Sequence, residues 1–222
     1  DYADRSDINV ECAIQSALYF KLQYRRKGYN YDRIVPGGYL PNDRNLYDYL
    51  PSIRTLRDRK KPRFDVHGRF SPQYSATIRA NAMQRLTGQH QFQFEGGLAK
   101  IRYSRFLREI ARSRLAINLP GIGDFCFRLI DYLAIGVCVI GPPLLNCLHI
   151  PLEDRRHLVF VKPDLSDLVE TCEYYLRNEA ERETIARNAR NLFDAALHHT
   201  QLGAYYIRMC LDRLANPVDS HV

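Results

Sequence analysis

From residue 64 onward, short apolar runs alternate with segments in which apolar residues recur every three or four positions. Apolar runs bounded by glycine or proline predict strands, and the 3.6-residue period predicts helices. The predicted strands are FDVHGRF, QFQFEGG, LAINLPGIG, VCVIGPP and HLVFV; the predicted helices are TIRANAMQRLTG, YSRFLREIARS, FCFRLIDYLAIG, a helix capped by Asp164, and helices at 180–197 and 201–214. This alternation predicts an α/β fold. The uniformly apolar VCVI is typical of a parallel strand that is covered on both faces.

Residues 1–63 follow a different pattern. ALYFKLQY predicts a strand, IVPGGYLP a turn-rich segment and LYDYLPSIRTLRDR an amphipathic piece. About 60 residues rarely form a domain of their own. We therefore predict two parts: residues 1–63 as a partial N-terminal segment with a linker, and residues 64–222 as the α/β domain.

Composition excludes several classes of protein. The chain has 222 residues, of which 45% are hydrophobic, so it is expected to fold around a core. No run of about 18 apolar residues is free of charge, so no membrane span is predicted, and the polar start DYADRSDINVE does not resemble a signal peptide. None of the six cysteines has a metal-ligand spacing. We expect them to be reduced, in keeping with a cytoplasmic protein.

The net charge of +7 is unevenly distributed. Residues 1–115 contain 22 Lys and Arg against 11 Asp and Glu, whereas residues 116–222 contain 10 against 14. A basic half indicates that one face binds an anion, for which nucleic acid, a phosphorylated small molecule and an anionic membrane surface all qualify. The alternative is an ordinary solvated surface, because the basic residues are scattered and form no single tail.

The segment from Asn118 to Gly136 is the most informative for chemistry. A strand leads through Pro120, Gly121, Ile122 and Gly123 directly into a helix. Such a turn presents the first helical N–H groups at the carboxyl edge of the sheet, where open α/β sheets bind ligands, and glycines let a phosphate approach the backbone. The amides at 123–125, which end at Phe125, are therefore candidate phosphate donors.

On this predicted helix, Asp124, Arg128 and Asp131 fall at i, i+4 and i+7, on the ridge opposite the apolar stripe. Arg128 can then reach a diphosphate, and Asp131 can accept hydrogen bonds from a ribose diol. Two alternatives remain open. The three charges also fit a solvated ion-pair ladder, and a carboxylate of Asp124 that caps the helix would compete with a phosphate.

A second candidate group follows the first two strands of the domain. His67, Gly68 and Arg69 end the first strand, and Gly97 ends the second. If the strands are parallel, Arg69 and Gly97 converge with the Gly121 turn on one crevice. The alternative is that these glycines only form tight turns. His67 is a weak candidate for a general base, because a single histidine in a strand is more often a core residue.

Several motifs are absent. GxxxxGK[ST], GxSxG and HExxH do not occur, and no GxGxxG opens the first turn between strand and helix. No Asp-x-Asp occurs either, so no metal site is predicted. A bound diphosphate would then be neutralised by arginine and the helix dipole.

The order of these pieces resembles the C-terminal, donor-binding half of GT-B glycosyltransferases over about residues 64–214. The closest resemblance is to exostosin-type and cap-associated O-glucosyltransferase-like enzymes, on the segments GIGDFCFRLIDYLAIGVCVIG and HLVFVKPDLSDLVETCEYYLRNEAERETIARNAR. It implies a Rossmann-like sheet, a diphosphate contact at Arg128, a ribose contact at Asp131, where many relatives carry Glu, and a Gly68–Arg69 pair over the phosphates.

The resemblance implies a hexosyltransferase-like enzyme that transfers a sugar from a nucleotide diphosphate sugar to a carbohydrate or glycosylated acceptor. The donor is its substrate, and no metal or other cofactor is expected. Only 63 residues precede the donor-like half, so the acceptor half appears incomplete in this chain and no general base is assigned. The alternative function is a non-catalytic basic module that binds nucleic acid or a phosphorylated polymer through stretches such as LYFKLQYRRKGYNYDR. No nucleic-acid motif accompanies those stretches, which makes nucleic acid the weaker expectation.

Overall fold

A computed structural model describes residues 1–41 and 43–216. The strands are β1 (Tyr19–Lys21), β2 (Tyr24–Arg25), β3 (Ile34–Pro36), β4 (Phe64–Arg69), β5 (Phe94–Gly97), β6 (Ser113–Ile117), β7 (Cys138–Gly141), β8 (Asn146–Cys147) and β9 (Val159–Phe160). The helices are α1 (Val10–Gln15), α2 (Leu46–Arg59), α3 (Ala76–Gly88), α4 (Tyr103–Ala111), α5 (Phe127–Ile135), α6 (Leu168–Arg177), α7 (Glu179–Leu192) and α8 (His199–Ala215), and a π-helical turn, Phe193–Leu197, joins the last two.

The centre of the molecule is a five-stranded parallel sheet in the order β5-β4-β6-β7-β9. Helices cover both of its faces, and β7 is buried throughout, as its unbroken apolar sequence predicts. One large apolar cluster lies on the α4 and α5 side and another on the α3 and α6 side. The predicted α/β fold with a parallel sheet is therefore confirmed.

Two helices begin later than the sequence predicts. Helix α5 begins at Phe127, because Cys126 still has an extended backbone, so the segment from Pro120 to Phe125 is a loop. Helix α6 begins at Leu168, since Leu165 has a positive φ of 60° that interrupts a helix. The carboxylate of Asp164 accepts a hydrogen bond from the Ser166 amide instead of capping the helix, so that predicted cap is wrong.

The hydrophobic core continues across residue 63. Leu46, Leu50 and Ile53 of α2 are buried in the same cluster as the apolar residues of α4 and α5. The predicted strand at 17–24 is divided between β1, which pairs in parallel with β3, and β2, which pairs antiparallel with β8. The segment before residue 63 thus packs on the sheet domain. The predicted division of the chain into two parts at residue 63 stays a prediction.

The C-terminal helix α8 returns to the first forty residues. Leu202 packs on Gly38, the Tyr205 hydroxyl donates to the Pro36 carbonyl, and the Tyr206 ring lies edge-on to Phe20. The N-terminal segment is thereby held between α8 and the loops of the sheet. Among the residues that the structure describes, no helix has the length and apolarity needed to cross a bilayer.

Candidate functional site

The carboxyl ends of the central strands lie side by side. Arg69 at the end of β4 is in register with Gly97 at the end of β5, and β6 lies on the other side of β4. The loop from Pro120 to Phe125 leaves β6 at the same edge and leads into the N-terminus of α5. Arg69 and Gly97 at their strand ends and Gly121 in the loop after β6 therefore share one edge, as predicted. The N-terminus of α5, the positive end of its dipole, points toward them.

Arg128 lies at the centre of this edge. Its Nη1 donates to the carbonyl of Arg69 at 3.1 Å, and its Nη2 donates to the carbonyl of Leu119 at 3.0 Å. The guanidinium also lies 5.1 Å from the centre of the Phe70 ring, and its Nε is buried with no hydrogen-bond partner. A guanidinium has five N–H donors, so Arg128 joins two strand exits and retains donors for a further acceptor.

A second guanidinium that the sequence analysis missed belongs to Arg79 on α3. It is 3% exposed and donates to the carbonyls of Ser71 and Pro120. Burial, and after it the charge of Arg128, lowers the pKa of Arg79. The two cations are neighbours, because Arg79 bonds the Pro120 carbonyl and Arg128 bonds the adjacent Leu119 carbonyl. Arg79 precedes Ala82 and Leu86 at helical spacing, and a charge on that apolar stripe was the available signal.

No carboxylate among the described residues lies within 4.0 Å of either Arg79 or Arg128. A buried or half-buried cation without a counter-ion is costly, because it has lost water and gained no opposite charge. Both charges are held mainly by carbonyl dipoles, together with the Phe70 ring beside Arg128 and the Cys126 sulfur 3.9 Å from Arg79. This edge of the sheet therefore carries an uncompensated positive charge that suits an anion.

Arg69, by contrast, already has its counter-ions. Its side chain donates to Glu109 at 2.6 Å and to Glu95 at 2.8 Å. Burial alone would raise the pKa of Glu109, but hydrogen bonds from His67, Arg69 and Arg105 outweigh it and lower that pKa to about 2. The implied placement of the Arg69 side chain over phosphates does not fit this arrangement, in which Arg69 contributes its carbonyl to the position of Arg128.

The glycine turn is covered by the N-terminal segment. A Cβ on Gly123 would lie 2.4 Å from the Gln23 side chain and 2.5 Å from the Asp4 carbonyl. Gln23 Oε1 accepts from the Phe125 amide, and Gln23 Nε2 donates to the Phe125 carbonyl. The Gly121 amide donates to the Gly123 carbonyl. The predicted phosphate donors at 123–125 are thus partly occupied within the fold.

Besides the amides of Gly123 and Asp124, which have no acceptor among the described residues, further free amides lie at the start of α5. Within residues 1–41 and 43–216, the backbone N–H groups of Phe127 and Arg128 have no protein acceptor, as expected for the first turn of a helix. They belong to the first turn of the helix that carries Arg128. The first turn of α5 therefore adds two candidate anion-binding amides to those predicted at 123–125, of which only the Phe125 amide is occupied by Gln23.

Two members of the predicted charged ridge are placed differently from the prediction. Asp124 precedes α5 and accepts hydrogen bonds from the amides of Leu145 and Asn146, so it neither caps the helix nor competes for a phosphate. Asp131 is 2% exposed, and its carboxylate accepts a hydrogen bond of 2.7 Å from the Tyr103 hydroxyl. The outward ridge is wrong for Asp131, because helix α4 covers that side of α5.

Burial is the main cause of the pKa shift of Asp131. It raises the pKa of the carboxyl to about 7, although the hydrogen bond from Tyr103 and the charge of Arg128 act in the opposite direction. The ribose contact implied by the resemblance would need this side chain to be accessible. In the present arrangement Asp131 instead holds α4 against α5.

His67 lies in the core with no exposed surface. One ring nitrogen is 3.4 Å from the Tyr132 hydroxyl, and the other is 3.5 Å from Glu109. Burial lowers the pKa of His67, and Glu109 only partly opposes this effect. A neutral, enclosed imidazole has no path to a substrate, so the weak prediction of a general base at His67 is corrected to a core residue.

The remaining predicted glycines serve the strand exits. Gly68 packs under the Phe70 ring, and Gly97 has a φ of +125° that permits the chain to leave β5 sharply. All six cysteines are free thiols. The described residues contain no group of three or more His, Cys, Asp and Glu side chains arranged to hold a metal ion.

The rings of the basic, tyrosine-rich stretch are partly used within the fold. Tyr24 and Tyr29 pack edge-to-face at 5.2 Å, and together with Tyr31 they cover a small cluster around Tyr19 and Ile34. Arg25 lies 5.3 Å from the centre of the Tyr29 ring. Base stacking, the basis of the alternative nucleic-acid prediction, therefore lacks a platform of free rings in this segment.

Comparisons with known proteins agree with this fold. No curated protein matches the chain. Similar solved structures include a glycosyltransferase from Rickettsia africae ESF-5, with 13% identity and a TM-score of 0.55 over 84% of this chain and 59% of that one. Anabaena Alr3699/HepE in complex with UDP has 14% identity and a TM-score of 0.56 over 84% and 59%. Sucrose-phosphate synthase (tll1590) from Thermosynechococcus elongatus has 13% identity and a TM-score of 0.52 over 82% and 53%.

The chain spans between 53% and 59% of the length of these three proteins. Its fold is that of the C-terminal domain of GT-B glycosyltransferases, as the resemblance implies, whereas the exostosin-like subtype stays a prediction. The sequence model for glycosyl transferase-like proteins matches residues 50–202, which include the parallel sheet and both guanidiniums. This chain belongs to the glycosyl transferase-like family.

Proposed function

We propose that the chain is the donor-binding half of a glycosyltransferase that transfers a sugar from a nucleotide diphosphate sugar without a bound metal. The observation that carries the proposal is the pair of guanidiniums, Arg79 and Arg128, with no carboxylate nearby at the carboxyl edge of the sheet. A diphosphate supplies the missing negative charge. The solved structure of the similar Anabaena protein contains UDP, which makes a uridine donor the first one to test.

The proposed chemistry is stabilisation of the leaving group. Negative charge grows on the diphosphate as the bond from the sugar to its phosphate breaks. Preorganised donors aimed at that charge are usually the largest catalytic contribution, and removal of one costs about 10²–10³ in rate. Arg128 and the free amides of Phe127 and Arg128 would supply these donors, and Arg79 would hold the loops that position them. No residue of this chain is assigned as the base, and the acceptor is not identified.

Substitution of Arg128 tests the proposal. Arg128→Ala is expected to weaken UDP binding by about 10- to 100-fold, because a charge-assisted hydrogen bond contributes about 1.5–3 kcal/mol. The exposed Arg187 on α7 provides the matched control, Arg187→Ala. Isothermal titration of UDP, with and without EDTA, measures both affinities, and EDTA is expected to leave them unchanged. An unaltered UDP affinity in Arg128→Ala would exclude this site.

Stability has to be controlled in that experiment. Arg128 bonds two carbonyls, so its removal is expected to lower the free energy of unfolding by about 1–3 kcal/mol, in contrast to an exposed arginine. Titrations are therefore made well below the melting temperature of the variant. A thermal-shift panel of UDP, GDP, CMP and ADP identifies the base, because a ligand at 100 times its Kd stabilises by about 2.7 kcal/mol. If none of them stabilises the wild-type chain, the proposal fails.

A further inference from the structure

A cationic surface lies at the amino edge of the sheet, opposite the edge that carries Arg128. Helix α2 ends there at Arg59, and Arg112 follows the last residue of α4. The Arg63 amide donates to the Arg112 carbonyl at 2.7 Å, and Arg112 Nε donates to the Lys61 carbonyl at 3.1 Å. These two hydrogen bonds hold the segments that follow α2 and α4 together, so that their cations form one surface. The amino-edge patch consists of Arg59, Lys60, Lys61, Arg63, Arg108 and Arg112.

The charge of this patch is not compensated. Among the described residues, none of its six members has a carboxylate within 4.0 Å, and all except the half-buried Arg112 are exposed. Acidic side chains on the adjoining elements have other partners: Asp58 pairs with Arg190 at 3.0 Å, Asp65 with Arg114 at 3.5 Å and Glu183 with Arg182 at 3.3 Å.

Helix stability explains only part of this arrangement. Cations at the ends of α2 and α4 interact favourably with the negative end of the helix dipole, which accounts for Arg59 and Arg108. Lys60 is the C-terminal cap of α2, where the helix dipole also favours a cation, whereas Lys61 and Arg63 lie beyond the helix and repel their cationic neighbours. Six like charges on one surface raise the local potential and attract a polyanion.

The form of the patch indicates which polyanion it fits. None of the large exposed apolar or aromatic side chains of the described residues belongs to it, so it lacks the stacking surfaces that single-stranded nucleic acid uses. Both helices present their carbonyl ends here, so no helix offers N–H groups to a single ordered phosphate. Electrostatic attraction to an anionic bilayer surface needs neither stacking side chains nor ordered N–H donors. We propose that the amino-edge patch holds this protein against an anionic lipid surface.

The proposal fixes an orientation. Strand β4 separates the patch from the Arg128 edge, and its six residues span about 20 Å. A protein held by the patch therefore turns its carboxyl edge away from the lipid. An acceptor would approach that edge from the aqueous side, whatever donor the site binds.

Vesicle binding by the full chain tests the proposal. The probes are vesicles of phosphatidylcholine alone and vesicles with roughly one third phosphatidylserine, at low and at physiological salt. The patch variant carries Lys60→Glu, Lys61→Glu and Arg63→Glu. The control variant, with the same change in net charge, carries Arg177→Glu, Arg187→Glu and Arg208→Glu, all at exposed positions outside the patch.

We expect the wild type to bind only the anionic vesicles, with weaker binding as salt rises. The patch variant should lose about tenfold or more in partitioning, and the control variant much less. The proposal is overturned by no wild-type binding at low salt, by equal losses in the two variants, or by tighter binding of an RNA oligomer through the same residues. Melting temperature and UDP binding, measured in parallel, separate this outcome from misfolding and from failure of the donor site.

Discussion

At the scale of single residues, the pKa values of two buried carboxyls are shifted in opposite directions, although burial acts to raise both. Asp131 has one hydrogen-bond donor, the Tyr103 hydroxyl, and its pKa is raised to about 7. Glu109 is surrounded by Arg69, Arg105 and His67, and its pKa is lowered to about 2. The two guanidiniums beside Glu109 decide the sign, because each one offsets the loss of water around the carboxylate, and the neutral His67 adds no charge.

Asp131 should make the fold less stable as pH rises. Its folded-state pKa lies above its ordinary value of 3.8, so the native state binds the additional proton between about pH 4 and pH 7, and that stability is lost as pH increases through 7. Asp131→Asn keeps an acceptor for Tyr103 without a charge. We expect the melting temperature of Asp131→Asn to rise relative to that of the wild type between pH 5 and pH 8, as the wild-type carboxyl loses its proton. Parallel curves for Asp131→Asn and the wild type would contradict the assignment.

Glu109 should have the opposite effect. Its stabilising contribution is complete above pH 4.5 and is lost as pH falls toward 2. Glu109→Gln leaves Arg69 without its main counter-ion, so we expect a loss of about 3 kcal/mol at pH 7 in urea unfolding, and a smaller difference at pH 3. Glu95→Gln, which removes the more exposed partner of Arg69, should cost less. A greater loss of unfolding free energy in Glu95→Gln than in Glu109→Gln would contradict the assignment of Glu109 as the main counter-ion of Arg69.

At the scale of elements, close approach of neighbouring strands determines where glycine is required. A Cβ on Gly141, at the end of β7, would lie 2.2 Å from the carbonyl oxygen of Asn118, which follows β6. No atom lies within 4 Å of the corresponding position at Gly88, the last residue of α3. The pairing of β6 with β7 makes the difference, because it brings the Asn118 carbonyl against Gly141.

This contrast gives a paired prediction. Gly141→Ala should separate β6 from β7 at the edge that carries Arg128, with a loss of about 1–3 kcal/mol and weaker UDP binding. Gly88→Ala should be neutral or stabilise by up to about 1 kcal/mol, because it restricts the unfolded chain without a clash. Urea unfolding checks both. Equal stabilities of the two variants would show that the strands adjust without strain.

At the scale of the whole molecule, α8 joins the last described residues to the first forty. Its sequence has apolar side chains on more than one face, including Leu202, Ile207, Leu211 and Leu214. Leu202 is 1% exposed against Gly38, whereas the other three are more than half exposed. The apolar pattern predicts the helix but does not show which of its faces is buried.

Leu202→Ala should therefore destabilise the molecule by about 2–5 kcal/mol, since it opens a cavity against the N-terminal segment. Leu211→Ala, at a position that is 59% exposed, should change the free energy of unfolding by less than about 0.5 kcal/mol. Chemical denaturation of the two variants measures the difference. A similar cost at both positions would mean that α8 does not bind the chain through Leu202.

The sequence by itself determined the order of strands and helices, the parallel sheet and the edge where Arg128 lies, because apolar period, glycine and proline act within a few residues. It did not reveal the partners of individual charges. Arg69 is neutralised by Glu109, 40 positions away, and Gln23 occupies the turn before Phe125, 102 positions away. These contacts are decided by the packing of distant segments, and the same packing buries Asp131 on the side of α5 that the local pattern assigns to solvent.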